Sequence, residues 1–155
     1  MSRSRAILLG VALLLTAAAW PQTPKADAPV AAAQIEVTDA WVRATVPGQP
    51  ATAAYLRILS QVDLRLTGIS SPAAQRCEVH ETTLVNDVMR MREVADLRVK
   101  ANEAIVFEEN HRHLMLQGLV RPLQAGDKVV FTLTFVDARA VRHLVTIEAP
   151  VRASN

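Results

Sequence analysis

Residues 129–136 read VVFTLTFV, with Val129, Phe131, Leu133 and Phe135 on one parity and Val130, Thr132 and Thr134 on the other. Because successive side chains of a strand point to opposite faces, this β-branched and aromatic alternation is that of a strand with one apolar face. The same pattern extends in both directions. Downstream, Val141 to Ala149 forms a last strand that sets Val141, Val145 and Ile147 together. Upstream lie Ile35 to Arg43, followed by the Pro47-Gly48 loop, then Ala53 to Leu59 and Val62 to Ile69, where Val62, Leu64 and Leu66 alternate against Asp63, Arg65 and Thr67. Turn signals at Asn86-Asp87, Asn102, Asn110, Gly118 and Gly126-Asp127 separate short strands. Their spacing, about ten residues, predicts an all-β fold, a β-sandwich of about seven to nine strands. No internal repeat is visible, and no helix-period segment of useful length follows the N-terminal region.

That region reads as an export signal over residues 1–19: Arg3 and Arg5 are a positive n-region, Ala6 to Leu15 an apolar h-region, and Ala17 to Ala19 a small-residue cleavage pattern. The apolar run falls short of the roughly 20 residues of a membrane span. No cysteine closes the h-region and no Arg-Arg pair precedes it, so the expectation is a soluble exported protein with no stable membrane insertion once the signal is removed. Residues 20–33 form an Ala/Pro-rich leader, 34–150 the β-sandwich domain and 151–155 a short tail.

Arg3 and Arg5 account for two of the 17 basic side chains, which leaves 15 against 15 acidic ones in the exported chain. Such a balance gives no reason to expect nucleic acid or an anionic membrane as partner. The single cysteine, Cys77, permits no intramolecular disulfide, so the fold stands on its core.

Chemistry concentrates between His80 and Met115, which hold every methionine but the initiator (Met89, Met91, Met115) and three of the four histidines (His80, His111, His113). Thioether sulfur and imidazole nitrogen are neutral ligands suited to a soft monovalent ion, Cu(I) above all, whereas Zn²⁺, Ca²⁺ or Mg²⁺ sites recruit thiolates or carboxylates. Strand parity puts Leu114 and Leu116 on one face and His113 with Met115 on the other, and sets His80 opposite Cys77 and Val79. If Asn86-Asp87 closes a two-residue hairpin loop, Thr82 stands across from Met91, and His80 lies diagonal to it. Pattern alone leaves Met89 and Met91 divided between core filler and ligand. His111 reads as a loop histidine, His143 as a satisfied core or edge histidine, and Cys77 as a small buried hydrophobe. Glu78, Glu81, Glu93, Glu108 and Glu109 read as solvated faces.

The arrangement His80, ten residues, Met91, twenty-one residues, His113, one residue, Met115 resembles the signature of the periplasmic copper chaperones called PCuAC. The flanks carry the resemblance too: DAWVRATVPGQPATAAYLRI (39–58), VHETTLVNDVMRMREV (79–94) and HLMLQGLVRPLQAGDKVVFTLTF (113–135). The resemblance implies a cupredoxin-like Greek-key β-sandwich and Cu(I) bound by His80, Met91, His113 and Met115, and it favours Met91 over Met89. It also implies copper delivery toward cytochrome c oxidase assembly, with a Sco-type protein or an oxidase subunit as acceptor. Three departures stand out: Glu93 where a proline commonly follows, Glu108-Glu109-Asn110-His111 in place of a Gly-rich approach, and no His/Met-rich C-terminal extension for a second copper site.

Two rival classes remain in view. A blue-copper electron carrier needs a His₂Cys centre, and Cys77 with His80, three apart on a strand, face opposite sides. A metal-free adhesion or assembly sandwich would leave the signature accidental. No nucleophile with its base is evident, so an enzyme is not expected.

Overall fold

The computed structural model describes residues 35–153, so the expected signal (1–19) and leader (20–33) lie outside the described residues. Within them the chain is all β: β1 Ile35–Arg43, β2 Ala51–Ser60, β3 Leu64–Ser70, β4 Ala74–Val85, β5 Val88–Glu93, β6 Leu97–Val99, β7 Ile105–Phe107, β8 Arg112–Leu119, β9 Lys128–Asp137 and β10 Arg142–Arg152. There are ten strands rather than seven to nine, because β6 and β7 are three residues each, too short to display alternation. The lateral order is β5-β4-β8-β2-β1-β10-β9-β3-β6, with β7 on β2 beyond β8. The β5-to-β1 half and the β10-to-β6 half meet where β1 and β10 run parallel, Val42 beside Val151 and Arg43 beside Arg152.

One core lies between the halves. Val129, Phe131, Leu133 and Phe135 of β9 and Leu64 and Leu66 of β3 face Ala54, Leu56 and Ile58 of β2, Val79 of β4, and Leu114 and Leu116 of β8. The expected apolar parity of residues 129–136 is therefore the inner face. Truncating a buried phenylalanine there would cost about 3–5 kcal/mol. β10 differs from its expected bounds: Val141 is exposed and outside the strand, while Val151, expected in the tail, is buried. Val151 extends the inward parity of Val145, Ile147 and Ala149, and its N–H donates to the Asp127 carbonyl at 2.8 Å.

Three local features aim the side chains of the site. Asn86 and Asp87 both have positive φ (52° and 61°), the type I′ geometry that closes a two-residue hairpin between β4 and β5. Thr82 consequently stands opposite Met91 and His80 opposite Glu93, which makes His80 and Met91 diagonal neighbours. In β1 the register shifts between Thr38 and Trp41, and the extra residue reverses parity: Ile35 and Val42 both point inward, leaving Trp41 and Arg43 on the outer face. Gly118, a turn signal in sequence, instead lies inside β8, where a Cβ would meet the Gln75 Oε1 at 2.8 Å.

Candidate metal centre

The site spreads across the outer face of the β5-β4-β8-β2-β1 half. On β4 and β8, His80 pairs with His113 and Glu78 with Met115; on β2, Ala53 pairs with Met115. The small side chains of Ala51 and Ala53 leave a cleft of about 400 Å³ beside Met115. Its lining takes in Met89 and Met91 from β5, Thr82 from β4, His113 and Met115 from β8, and Arg43 and Tyr55 from the far side. Met91, His113 and Met115, three of the four residues singled out by spacing, thus share one cleft. His80 adjoins it through His113, with ring centroids 5.9 Å apart and planes inclined at 65°.

Both β5 methionines are solvent-exposed, at 55% each, so neither is core filler. Met89 lies on the same face as Met91 and lines the same cleft. His113 differs from expectation in burial: it points away from the core yet is only 7% exposed. The segment preceding β8 approaches from above, where Thr82 N–H donates to the His111 carbonyl at 2.9 Å and Glu109 pairs with Arg43. Arg43 also donates to the Tyr55 hydroxyl at 3.0 Å, and Tyr55 stacks against Trp41 at 4.5 Å. Burial holds the His113 imidazole below its ordinary value of 6.5, helped by His80 and Arg43 and opposed by a hydrogen bond to the His111 backbone.

Two glutamates expected on solvated faces are built in. Glu81 accepts from Arg92 of β5 and Arg112 of β8, each at 2.7 Å, and these partners hold its carboxyl below the usual range. The clamp ties the methionine-bearing edge strand to the strand that carries His113. Glu78 contacts His80 Nε2 at 2.9 Å. Parity alone puts Glu78 beside His80; its tie to the imidazole is not visible in sequence. Arg43 reaches the cleft through the β1 bulge and Glu109, expected on a solvated face, through the turn before β8, placements that strand alternation does not show.

Cys77 packs against the core on the opposite side of β4, and burial, then the Glu78 charge, push its thiol up to about 11. His143 sits on the inner face of β10 with Nε2 3.2 Å from Asp137 Oδ2, a satisfied histidine as expected. Among the described residues no three His, Cys, Asp or Glu side chains gather in a metal-holding group, and His113 lines the cleft together with the thioethers of Met89, Met91 and Met115. No helix among them is long and apolar enough to cross a membrane.

Residues 35–151 match the family described as "Putative lipoprotein LpqE-like". "Putative lipoprotein Lxx21020" of Leifsonia xyli subsp. xyli is 32% identical over 136 residues, covering 85% of this chain and 78% of its own. The solution structure of apo-DR1885 from Deinococcus radiodurans is 27% identical at a TM-score of 0.59, over 99% of this chain and 97% of that one. The Cu(I) form of DR1885 is 29% identical at 0.57, over 73% and 74%. The copper-bound PCuAC domain from PmoF2 shares the fold, with a TM-score of 0.62 and 20% identity over 78% of this chain and 94% of that one. PCuAC domains, named by the sequence resemblance, are thus structural neighbours, while the matching family carries the LpqE-like description.

Proposed function

This chain belongs to the LpqE-like family, and we propose that it is an exported carrier of Cu(I), held by His80, Met91, His113 and Met115. The observation that carries the reading is the convergence of Met91, His113 and Met115 on one cleft, with His80 against His113. Two imidazoles and two thioethers are neutral, so bound Cu(I) leaves one net positive charge, whereas a divalent ion would leave two. Thioethers also avoid the disulfide chemistry that disables a cysteine carrier in an oxidising compartment. The Cu(I) form of the 29%-identical DR1885 structure supports copper as the cargo.

The task is carriage rather than catalysis. Met91, at 55% exposure, is a ligand that an incoming protein can replace first. In the periplasm the cargo would pass toward cytochrome c oxidase assembly, through a Sco-type protein or an oxidase subunit as acceptor. The electron-carrier reading is disfavoured because Cys77 packs against the core on the other side of β4 from the cleft that holds His113, Met91 and Met115. The family name describes lipoproteins; the one cysteine in this sequence is Cys77, inside β4.

An anaerobic competition of the purified protein against a Cu(I) chelator, with metal analysis, tests the proposal. One Cu(I) per chain and little retention of Zn²⁺ is the expected result. No competition with the chelator, or tight Zn²⁺ binding lost in His113→Ala, would overturn it.

A further inference from the structure

Glu78 and His80 occupy alternate positions of β4 and therefore share its outer face. Across the strand pair, Glu78 stands opposite Met115 and His80 opposite His113, so the carboxylate occupies the fourth corner of a block whose other three corners are the two histidines and Met115. Glu78 Oε2 lies 2.9 Å from His80 Nε2, with the two side chains only 13% and 14% exposed. Arg76 Nε lies 2.8 Å from the other carboxylate oxygen, Oε1, and Gln117 Nε2 donates to Oε2, the oxygen that faces His80, at 3.4 Å.

An ionised carboxylate only accepts hydrogen bonds, so its partner, Nε2, must carry the proton. In a neutral imidazole the lone pair then resides on Nδ1. Three buried side-chain nitrogens among the described residues lack a hydrogen-bond partner: Arg43 Nε, Arg112 Nε and His80 Nδ1. The arginine atoms carry a proton and offer no lone pair, which leaves His80 Nδ1 as the one that can donate electrons to a metal.

We infer that Glu78 is a positioning residue for copper: it locks His80 with its proton on Nε2 and turns Nδ1, the unpartnered nitrogen, toward the site as the ligand atom. The inference rests on the proposed Cu(I) site and specifies its geometry. A carboxylate behind a coordinating imidazole fixes ring orientation, makes the ligand nitrogen more basic and places a negative charge near the arriving cation. The sheet supplies this through adjacency on one strand, with Arg76 and Gln117 keeping the carboxylate from rotating away.

Long-range ¹H–¹⁵N correlation of the imidazoles in the full-length protein, at mildly alkaline pH, reads the protonated nitrogen directly. The expected apo spectrum shows His80 wholly as the Nε2–H form with an unprotonated Nδ1. Addition of Cu(I), which is diamagnetic, should then move Nδ1 far more than Nε2. Glu78→Ala should return the ring to a mixture of tautomers and weaken Cu(I) binding by about ten-fold or more. Glu78→Gln, whose amide oxygen still accepts from Nε2–H, should recover most of both, and backbone spectra report whether each variant remains folded. An Nδ1–H form in the wild-type apo protein, a copper shift at Nε2, or a Glu78→Ala protein with unchanged His80 signals and affinity would each overturn the inference. If the wild type takes up no Cu(I), the carrier reading and the ligand-atom assignment both fall. The apo spectra of wild type and Glu78→Ala still decide separately whether Glu78 locks the ring.

Discussion

His80 and His113 stand directly opposite one another on neighbouring antiparallel strands, their rings 5.9 Å apart and inclined at 65°. The β4–β8 ladder sets the separation of the two imidazoles, and hydrogen-bonded strands are stiff. The thioethers differ: Met115 belongs to the same ladder, but Met91 rides on the exposed edge strand β5. In the proposed site the two imidazoles therefore lie on an inner strand pair and the Met91 thioether on the exposed edge.

Met115 and Leu114 are adjacent on β8 but point to opposite sides, Leu114 fully into the core and Met115 into the cleft. Met115→Ala should weaken Cu(I) binding at least ten-fold with little change in melting temperature. Leu114→Ala should cost about 2–5 kcal/mol of stability, as buried leucine truncations do. Denaturant unfolding of both variants beside a copper titration checks the contrast; a core-like loss in Met115→Ala would remove it from the ligand set.

Replacing the two β5 methionines separately distinguishes their roles. Both are 55% exposed, so leucine at either should alter stability by no more than about 0.5 kcal/mol. Met91→Leu is expected to lose Cu(I) affinity strongly, since Met91 is the diagonal neighbour of His80. Met89→Leu should retain it. Equal losses in chelator competition would make Met89 a fifth participant.

The pH response of His113 follows from burial. Its folded value lies below the ordinary 6.5, so the neutral, coordinating form persists in the apo protein below that pH. Its contribution to apo stability is fully present above about 6.5, the unfolded value, and is lost as pH falls toward the folded one. Proton competition with copper at this ligand should accordingly begin below 6.5 rather than at it. Arg43→Met removes a nearby positive charge and should raise the value, which an NMR titration of the His113 ring protons in the apo protein would reveal. A His113 midpoint at or above 6.5 in the wild type would contradict the structure.

Glu81 gives the clamp between β5 and β8 an acid limit. Its carboxyl is held low by Arg92 and Arg112, so the stabilisation is present above the ordinary value of 4.5 and disappears as pH falls through the depressed folded value. Wild type and Glu81→Gln should differ in melting temperature at neutral pH and converge in strong acid. Hydrogen exchange should show the loss confined to β5 and its partners; a uniform loss through β9 would contradict a local clamp.

Much of this architecture is present in the residues themselves. Alternation over 129–136 and at Leu114 and Leu116 assigns the inner face, because a strand's side chains must alternate and the apolar set must leave water. The Asn86-Asp87 pair specifies a two-residue turn, and that turn alone places Met91 diagonal to His80. The chemistry of the candidate ligands is equally legible, since thioether and imidazole are what they are in any fold. Alternation does not say which strand lies beside which. The pairing of β4 with β8, which brings His80 to His113, joins segments far apart in sequence and is decided by how the whole sheet buries its inner face. The bulge that turns Arg43 outward, the burial of His113 and the tie from Glu78 to His80 likewise exist only once neighbouring strands are in place. Their physical cause is contact across the sheet, for which a single strand carries no period.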